Sequence, residues 1–260
     1  MTIGYSSYLR LDELLSLQEP RSDGHEHDEL LFITIHQVYE LWLKQILHEL
    51  KLLQLAMENS HTPIVATTLK RVLTILKTLV AQIDILETMT PMSFASFREL
   101  LEQASGFESV QFREVEFILG RRRREVVEAM PPGSRGRLRL ERVLGRPSIY
   151  DSFLRYLALL GYPIPQEVLA RDLGEPPTPS PAVQESLIEI YRHDPGTWQI
   201  CELMVDLDEG LQEWKYRHAV MMQRTIGARR ATTAAVAGGP SPSAVARSLF
   251  PDLWAIRSEL

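Results

Sequence analysis

H-D-E-L-L-F-I-T-I-H-Q-V-Y-E-L-W-L-K-Q-I-L-H-E-L, residues 27–50, is the stretch whose reading decides the fold. Leu31, Ile35, Val38, Trp42 and Ile46 recur at steps of four, three, four and four. That rhythm places them on one face of a helix. Phe32, His36, Tyr39 and Leu43 make a second stripe beside the first, so apolar and aromatic side chains cover most of the circumference. A helix of this kind lies inside a protein rather than on its surface. His36 stands one turn from Phe32. Spacing alone leaves two readings open for it, a hydrogen-bonded core histidine or a functional imidazole.

Outward from this helix the pattern stays helical. Tyr5 to Leu15 reads as a short helical lead-in, and Arg21 to Gly24 as a polar turn. After a break at Asn59 to Pro63, Leu69, Val72, Leu76, Leu79, Ile83 and Leu86 trace a long helix. Thr90-Pro91 gives a helix start, an N-cap followed by proline at the first helical position. The helix it opens sets Phe94 and Arg98 four residues apart on one face, with Phe97 beside them. An arginine there either meets an anionic partner or reaches past the rings to water. Gly106 interrupts this pattern and a helix follows over Val110 to Ile118. Arg121 to Arg124 reads as a solvated helix end, and the segment around Pro131-Pro132-Gly133 as projecting from the core. Another helix runs from about Ser148 to Gly161, and prolines 176, 177, 179 and 181 make a loop. No run reads as a strand, so the expected fold is all-α, one domain over residues 1–260.

The last long helix begins after Pro195-Gly196 and ends near Gly227. Its inward stripe is Leu207, Leu211, Trp214, His218, Met221 and Thr225. His218 therefore sits in an apolar row, and a buried neutral imidazole needs a hydrogen-bond partner or a metal. A helical core with one such histidine on each of two aromatic-rich faces suits a haem site, though spacing alone does not decide it. No H-E-x-x-H, P-loop or G-x-S-x-G pattern competes.

Composition narrows the classes further. A chain of 260 residues with a net charge of −6 lacks the basic surface of a nucleic-acid binder. No apolar run approaches the roughly 20 residues that span a bilayer. The start, M-T-I-G-Y-S-S-Y, has no charged-then-apolar signal pattern. The single cysteine, Cys201, excludes an internal disulfide and a Cys-rich zinc site, and a reducing cytoplasm is the expected compartment.

Several blocks in order along the chain resemble the tryptophan 2,3-dioxygenase family. They are Y-S-S-Y-L-R-L-D-E-L-L from Tyr5, H-D-E-L-L-F-I-T-I-H-Q from His27 and E-L-W-L-K from Glu40. L-E-T-M-T-P-M-S-F-A-S-F-R from Leu86, S-G-F-E-S-V-Q-F-R from Ser105, W-K-Y-R-H from Trp214 and L-F-P-D-L-W from Leu249 follow. The resemblance implies a helical bundle that holds haem b and uses O2 to oxidise the indole C2–C3 bond of tryptophan, giving N-formylkynurenine. It implies that His218 is the proximal iron ligand, and that His36 acts on the distal side near the indole N–H with Phe32 packed on the ring. Arg98 would bind the substrate carboxylate, with Phe94 beside it where some members have tyrosine. Ser105 and Gly106 would line the haem edge, and Thr232 would contact the substrate ammonium. Tyr5, Tyr8 and Leu9, within residues 1–20, would complete a neighbouring subunit's pocket in a homotetramer.

The sequence departs from the family in one place. Where members carry a glycine-rich G-T-G-G-S-S-G loop, this chain reads Arg230-Ala-Thr-Thr-Ala-Ala-Val-Ala237. Alanine cannot cheaply adopt the dihedrals that glycine allows, so the loop at 230–240 is expected to take another path. The first tyrosine also comes without the leader that many members carry. These departures raise two alternatives to plain dioxygenation: a member that monooxygenates a substituted tryptophan to an oxindole, and a haem-binding sensor without turnover.

Overall fold

The stretch quoted above lies within one helix of 32 residues, His27–Glu58, in the computed structural model, which describes residues 4–24, 26–101, 109–227 and 248–260. Two short helices precede it, α1 (Tyr5–Leu9) and α2 (Leu11–Leu15), so the long helix is α3. Then come α4 (Thr62–Leu86), α5 (Pro91–Arg98), α6 (Val110–Leu119), α7 (Arg124–Glu128) and α8 (Arg135–Leu144). They are followed by α9 (Ile149–Leu159), α10 (Gln166–Leu169), α11 (Pro181–His193), α12 (Pro195–Ile226) and α13 (Pro251–Ala255). Among the described residues there is no strand, and the fold is all-α as the periodicity indicated. No helix among them is long and apolar enough to cross a membrane.

The helix starts have local causes. Thr90 Oγ1 accepts from the Ser93 amide at 3.0 Å, and Pro91 fills the position that needs no donor. Ser109 Oγ caps α6 through the Phe112 amide at 3.1 Å. Ser148 and Asp151 form a reciprocal capping box on α9. Asp194 accepts from the amides of Gly196 and Thr197 to open α12. Gly120, at φ +111°, ends α6 in a left-handed conformation that a side chain would resist.

The helix α4 packs against both α3 and α12, while α6 and α9 cover another side of α3, and α11 and α13 lie on α12. Leu50, Leu53 and Met57 of α3, Leu69 of α4, Phe153 and Tyr156 of α9 and Met204 of α12 are fully buried in the shared core. Each such side chain contributes about 1.5–3 kcal/mol of burial. A second cluster, Ile35, Ile83, Leu86 and Met221, joins α3, α4 and α12. The C-terminal segment is pinned to α12 by a buried carboxylate. Asp208 accepts from the Leu249 amide at 2.7 Å and from Trp254 Nε1 at 2.9 Å.

Two expectations need correction. The arginine run at 121–124 is no solvated helix end. Arg122 is only 7% exposed and donates to the carbonyls of Phe117, Leu144, Leu173 and Arg146. Arg121 and Arg123 turn toward buried Glu116. The residues around 131–133 do not simply project either. They join α7 to α8, which packs on α6 around Phe117, Val127, Leu140 and Val143. Charge density misled in the first case, because a guanidinium can be buried when carbonyls and a carboxylate use its donors.

Candidate active site

A cavity of about 300 Å³ opens between α3, α4, α6 and α12. Leu43, Ile46, Leu76, Leu79 and Leu211 give it aliphatic walls, and Phe32, Phe112 and Trp214 give it aromatic ones. The polar side chains in its lining include His36 and Glu40 of α3 and His218 of α12. The two histidines thus come from helices far apart in sequence and face one space. Sites that bind flat organic groups have this composition, mostly apolar with a few placed polar atoms.

His36 is held by its own helix. Its Nδ1 lies 2.7 Å from the Phe32 carbonyl oxygen. A carbonyl can only accept, so in the neutral ring Nδ1 carries the hydrogen and Nε2 is left as an acceptor. Burial lowers the His36 pKa, against opposing effects of the Phe32 carbonyl and Glu40. The neutral form therefore prevails at neutral pH. The Phe32 ring lies 4.0 Å from the imidazole, centre to centre, tilted by 35°. Phe94 and Phe97 of α5 stand 5.8 and 5.7 Å from Phe32, so α5 closes this end with rings. Glu40 is tied to α6, where Gln111 Nε2 donates to its carboxylate at 2.6 Å and to its carbonyl at 2.9 Å.

His218 is held by its neighbours. Trp214, one turn earlier on α12, stacks on it at 4.9 Å with 16° between the planes. Phe112 of α6 leans on the other part of that indole at 4.7 Å, and Tyr39 of α3 meets it edge-on at 6.1 Å. The Tyr39 hydroxyl donates to the Leu79 carbonyl at 2.6 Å, which locks that ring to α4. Burial first, then the positive charge of His36 and of Arg113, brings the His218 pKa down to about 4. Its imidazole is neutral under ordinary conditions, the form in which a histidine binds metal.

The other expected residues distribute as follows. Phe94 and Arg98 lie on α5, both half-buried, and neither lines the cavity directly. Phe94 reaches it through Phe32. Arg98 forms no ion pair among the described residues. Tyr5 and Tyr8 are 76% exposed and Leu9 42%, on the surface of the single chain. Ser105, Gly106, Thr232 and the altered loop at 230–240 lie outside the described residues. The sequence reading missed Phe112, Tyr39 as a wall residue, and the Gln111–Glu40 tie. Only Tyr39 carried a signal, its place in the second stripe of α3.

The family model described as tryptophan 2,3-dioxygenase matches residues 1–130. A protein of that name from Herpetosiphon aurantiacus is 52% identical over 98% of this chain and 98% of its own. The chain belongs to the tryptophan 2,3-dioxygenase family. Another tryptophan 2,3-dioxygenase, from Anaeromyxobacter sp. (strain K), is 50% identical over 98% of this chain and 96% of its own. One from Kineococcus radiotolerans is 39% identical over 99% and 91%. Likeness to tryptophan 2,3-dioxygenases therefore runs from end to end and includes α12 with His218.

Proposed function

We propose that residues 1–260 form one haem-dependent dioxygenase domain that adds both atoms of O2 across the indole C2–C3 bond of L-tryptophan, giving N-formylkynurenine. The observation that carries this reading is one largely apolar cavity faced by two neutral histidines. The residues present fit haem. His218 would hold it through a buried neutral nitrogen, and the aliphatic and aromatic walls suit its apolar ring. Among the described residues no three His, Cys, Asp or Glu gather around a point. Haem b, when bound, would supply the activation of O2 that side chains cannot perform.

The chain's own residues would orient tryptophan. His36, its Nδ1 committed to the Phe32 carbonyl, offers Nε2 to the indole N–H. The rings of Phe32 and Phe94 give the indole a flat apolar surface. Arg98 would clamp the carboxylate through two parallel N–H donors, and Thr232 would meet the ammonium. Ser105 and Gly106 would line the haem edge. Tyr5, Tyr8 and Leu9 would enter the pocket of a second copy in a homotetramer, which would cover the exposed rings of α1. A cytoplasmic enzyme suits the single buried cysteine. No observation favours an oxindole-forming member or a sensor over this reading.

The test is to supply the haem-loaded protein with L-tryptophan, reductant and isotopically labelled O2. The expected product carries both labelled atoms. A product with a single labelled atom, or none from any indole amino acid, would overturn the reading.

A further inference from the structure

Behind the Trp214 wall lies a buried ion cluster that the reaction as described does not use. The Glu116 carboxylate on α6 is 1% exposed. Lys215 Nζ of α12 meets one of its oxygens at 2.6 Å, and Arg113 Nη1 meets the other at 2.7 Å. Arg123 and Arg121 stand 3.6 and 4.0 Å away. Lys215 and Arg113 are each 3% exposed. Burial pushes the Glu116 carboxyl up, but Lys215 and then Arg113 outweigh it and hold the group at about 2. Lys215 is brought down to about 8 by burial, which its share of Glu116 offsets only in part. Taking such groups out of water is costly, and well-packed apolar residues could fill the same space. A role other than plain stability is therefore worth seeking.

The placement suggests one. The backbones of α6 and α12 hardly touch, and the cavity lies between them. Among the described residues the side-chain links that cross the gap include Lys215 to Glu116 and Trp214 to Phe112. Phe112 and Glu116 are one turn apart on α6, and Trp214 and Lys215 lie one turn before His218 on α12. Arg113 holds Glu116 from its other oxygen, so the carboxylate is a fixed target. A charged head group stands about 5–6 Å from its helix axis, so turning α12 by about 20° would move it about 2 Å. That is enough to take a 2.6 Å contact beyond hydrogen-bond range. The same turn would carry the His218 ring, with Trp214 stacked on it, around the α12 axis and change where the imidazole faces the cavity.

We propose that Lys215 and Glu116 are positioning residues: their ion pair, together with the Phe112–Trp214 contact, sets the rotation of α12 at which His218 meets the iron. The inference rests on His218 being the axial ligand, and the test separates the two. Resonance Raman spectra of the ferrous holoenzyme should show an iron–histidine stretching band in the wild type. Its absence there would refute the ligand assignment, and the brace with it. In Lys215→Met, where Glu116 keeps Arg113, haem should stay bound while the band shifts and broadens. The kcat should fall by about three- to tenfold with the tryptophan KM within about twofold, because misplacement acts on the chemistry rather than on substrate binding. Lys215→Arg, which retains charge and donors, should return the band toward the wild-type position. If Lys215→Met yields no folded protein, Lys215→Gln, which keeps a donor, carries the same comparison. A wild-type band and kcat alongside a lowered Tm would show that the cluster serves stability alone.

Discussion

The two histidines that share the cavity are secured in opposite ways. His36 takes its constraint from within α3, from the Phe32 carbonyl and ring one turn back. His218 stacks on Trp214 of its own helix, and that part of α12 is constrained from outside, through Phe112 and Tyr39 against the indole and the ion cluster on α6 against Lys215. The first arrangement fixes a tautomer, while the second fixes a helix. A group that must accept a hydrogen bond from an arriving substrate needs the right nitrogen free. A group that must hold a metal needs its whole position held.

The strongest way to break this contrast is at His218. With His218→Ala the purified protein should lose its haem, read as haem per chain and the Soret band, whereas changes on the His36 side should leave haem content unaltered. Retention of haem with an unchanged spectrum in His218→Ala would assign the iron to another residue. The haem-free protein offers a second measure. The His218 pKa is about 4 in the folded state against an ordinary 6.5. Between those values the unfolded chain binds a proton that the folded chain refuses, so stability falls as the pH falls through that window. The full loss corresponds to about 3 kcal/mol. Urea unfolding of the apoprotein from pH 6.5 to 4 should thus show a smaller loss in His218→Gln than in the wild type. Equal slopes would mean that His218 is not buried as a neutral ring.

How much of this could be read in the sequence follows the same division. The inner stripes of α3 and α12, and both histidines on them, were legible because helical periodicity reports which side chains share a face. The cap at Thr90 was legible for a similar local reason. Partnership across helices was not. Phe112 gives no hint of Trp214 a hundred residues on, and the arginines after Gly120 read as solvated because Glu116 and Lys215 come together only in the fold. Roles such as Arg98 for the carboxylate came from the family resemblance, since periodicity cannot name a ligand.

Arg98 sharpens the contrast from the substrate side. A charge-assisted bidentate bond contributes about 1.5–3 kcal/mol. Arg98→Leu should therefore lower kcat/KM for L-tryptophan by about tenfold to about 150-fold and leave the haem spectrum intact. Unchanged kinetics would mean that the guanidinium, half-buried on α5, faces water in the loaded enzyme as well. Loss of haem instead would place Arg98 with the His218 system, and the division drawn above would fail.

The smallest effect belongs to His36, and it is the most discriminating. His36→Phe keeps a ring of similar shape beside Phe32 but removes the Nε2 acceptor that the Phe32 carbonyl leaves available. A neutral hydrogen bond is worth about 0.5–1.5 kcal/mol net, so kcat/KM for L-tryptophan should fall by only about two- to tenfold. Tryptophan methylated at the indole nitrogen has no N–H to donate. For that substrate the variant should equal or exceed the wild type, because the acceptor it loses was unpaired in the first place. The pH profile gives the matching control. Burial keeps His36 neutral at and above its ordinary pKa of 6.5, so wild-type kcat/KM should be flat there and fall only at lower pH, as the imidazole gains a proton and ceases to accept. His36→Phe should lack that acid limb. An equal loss on both substrates, or an acid limb that survives the substitution, would show that His36 shapes the pocket without accepting the indole proton.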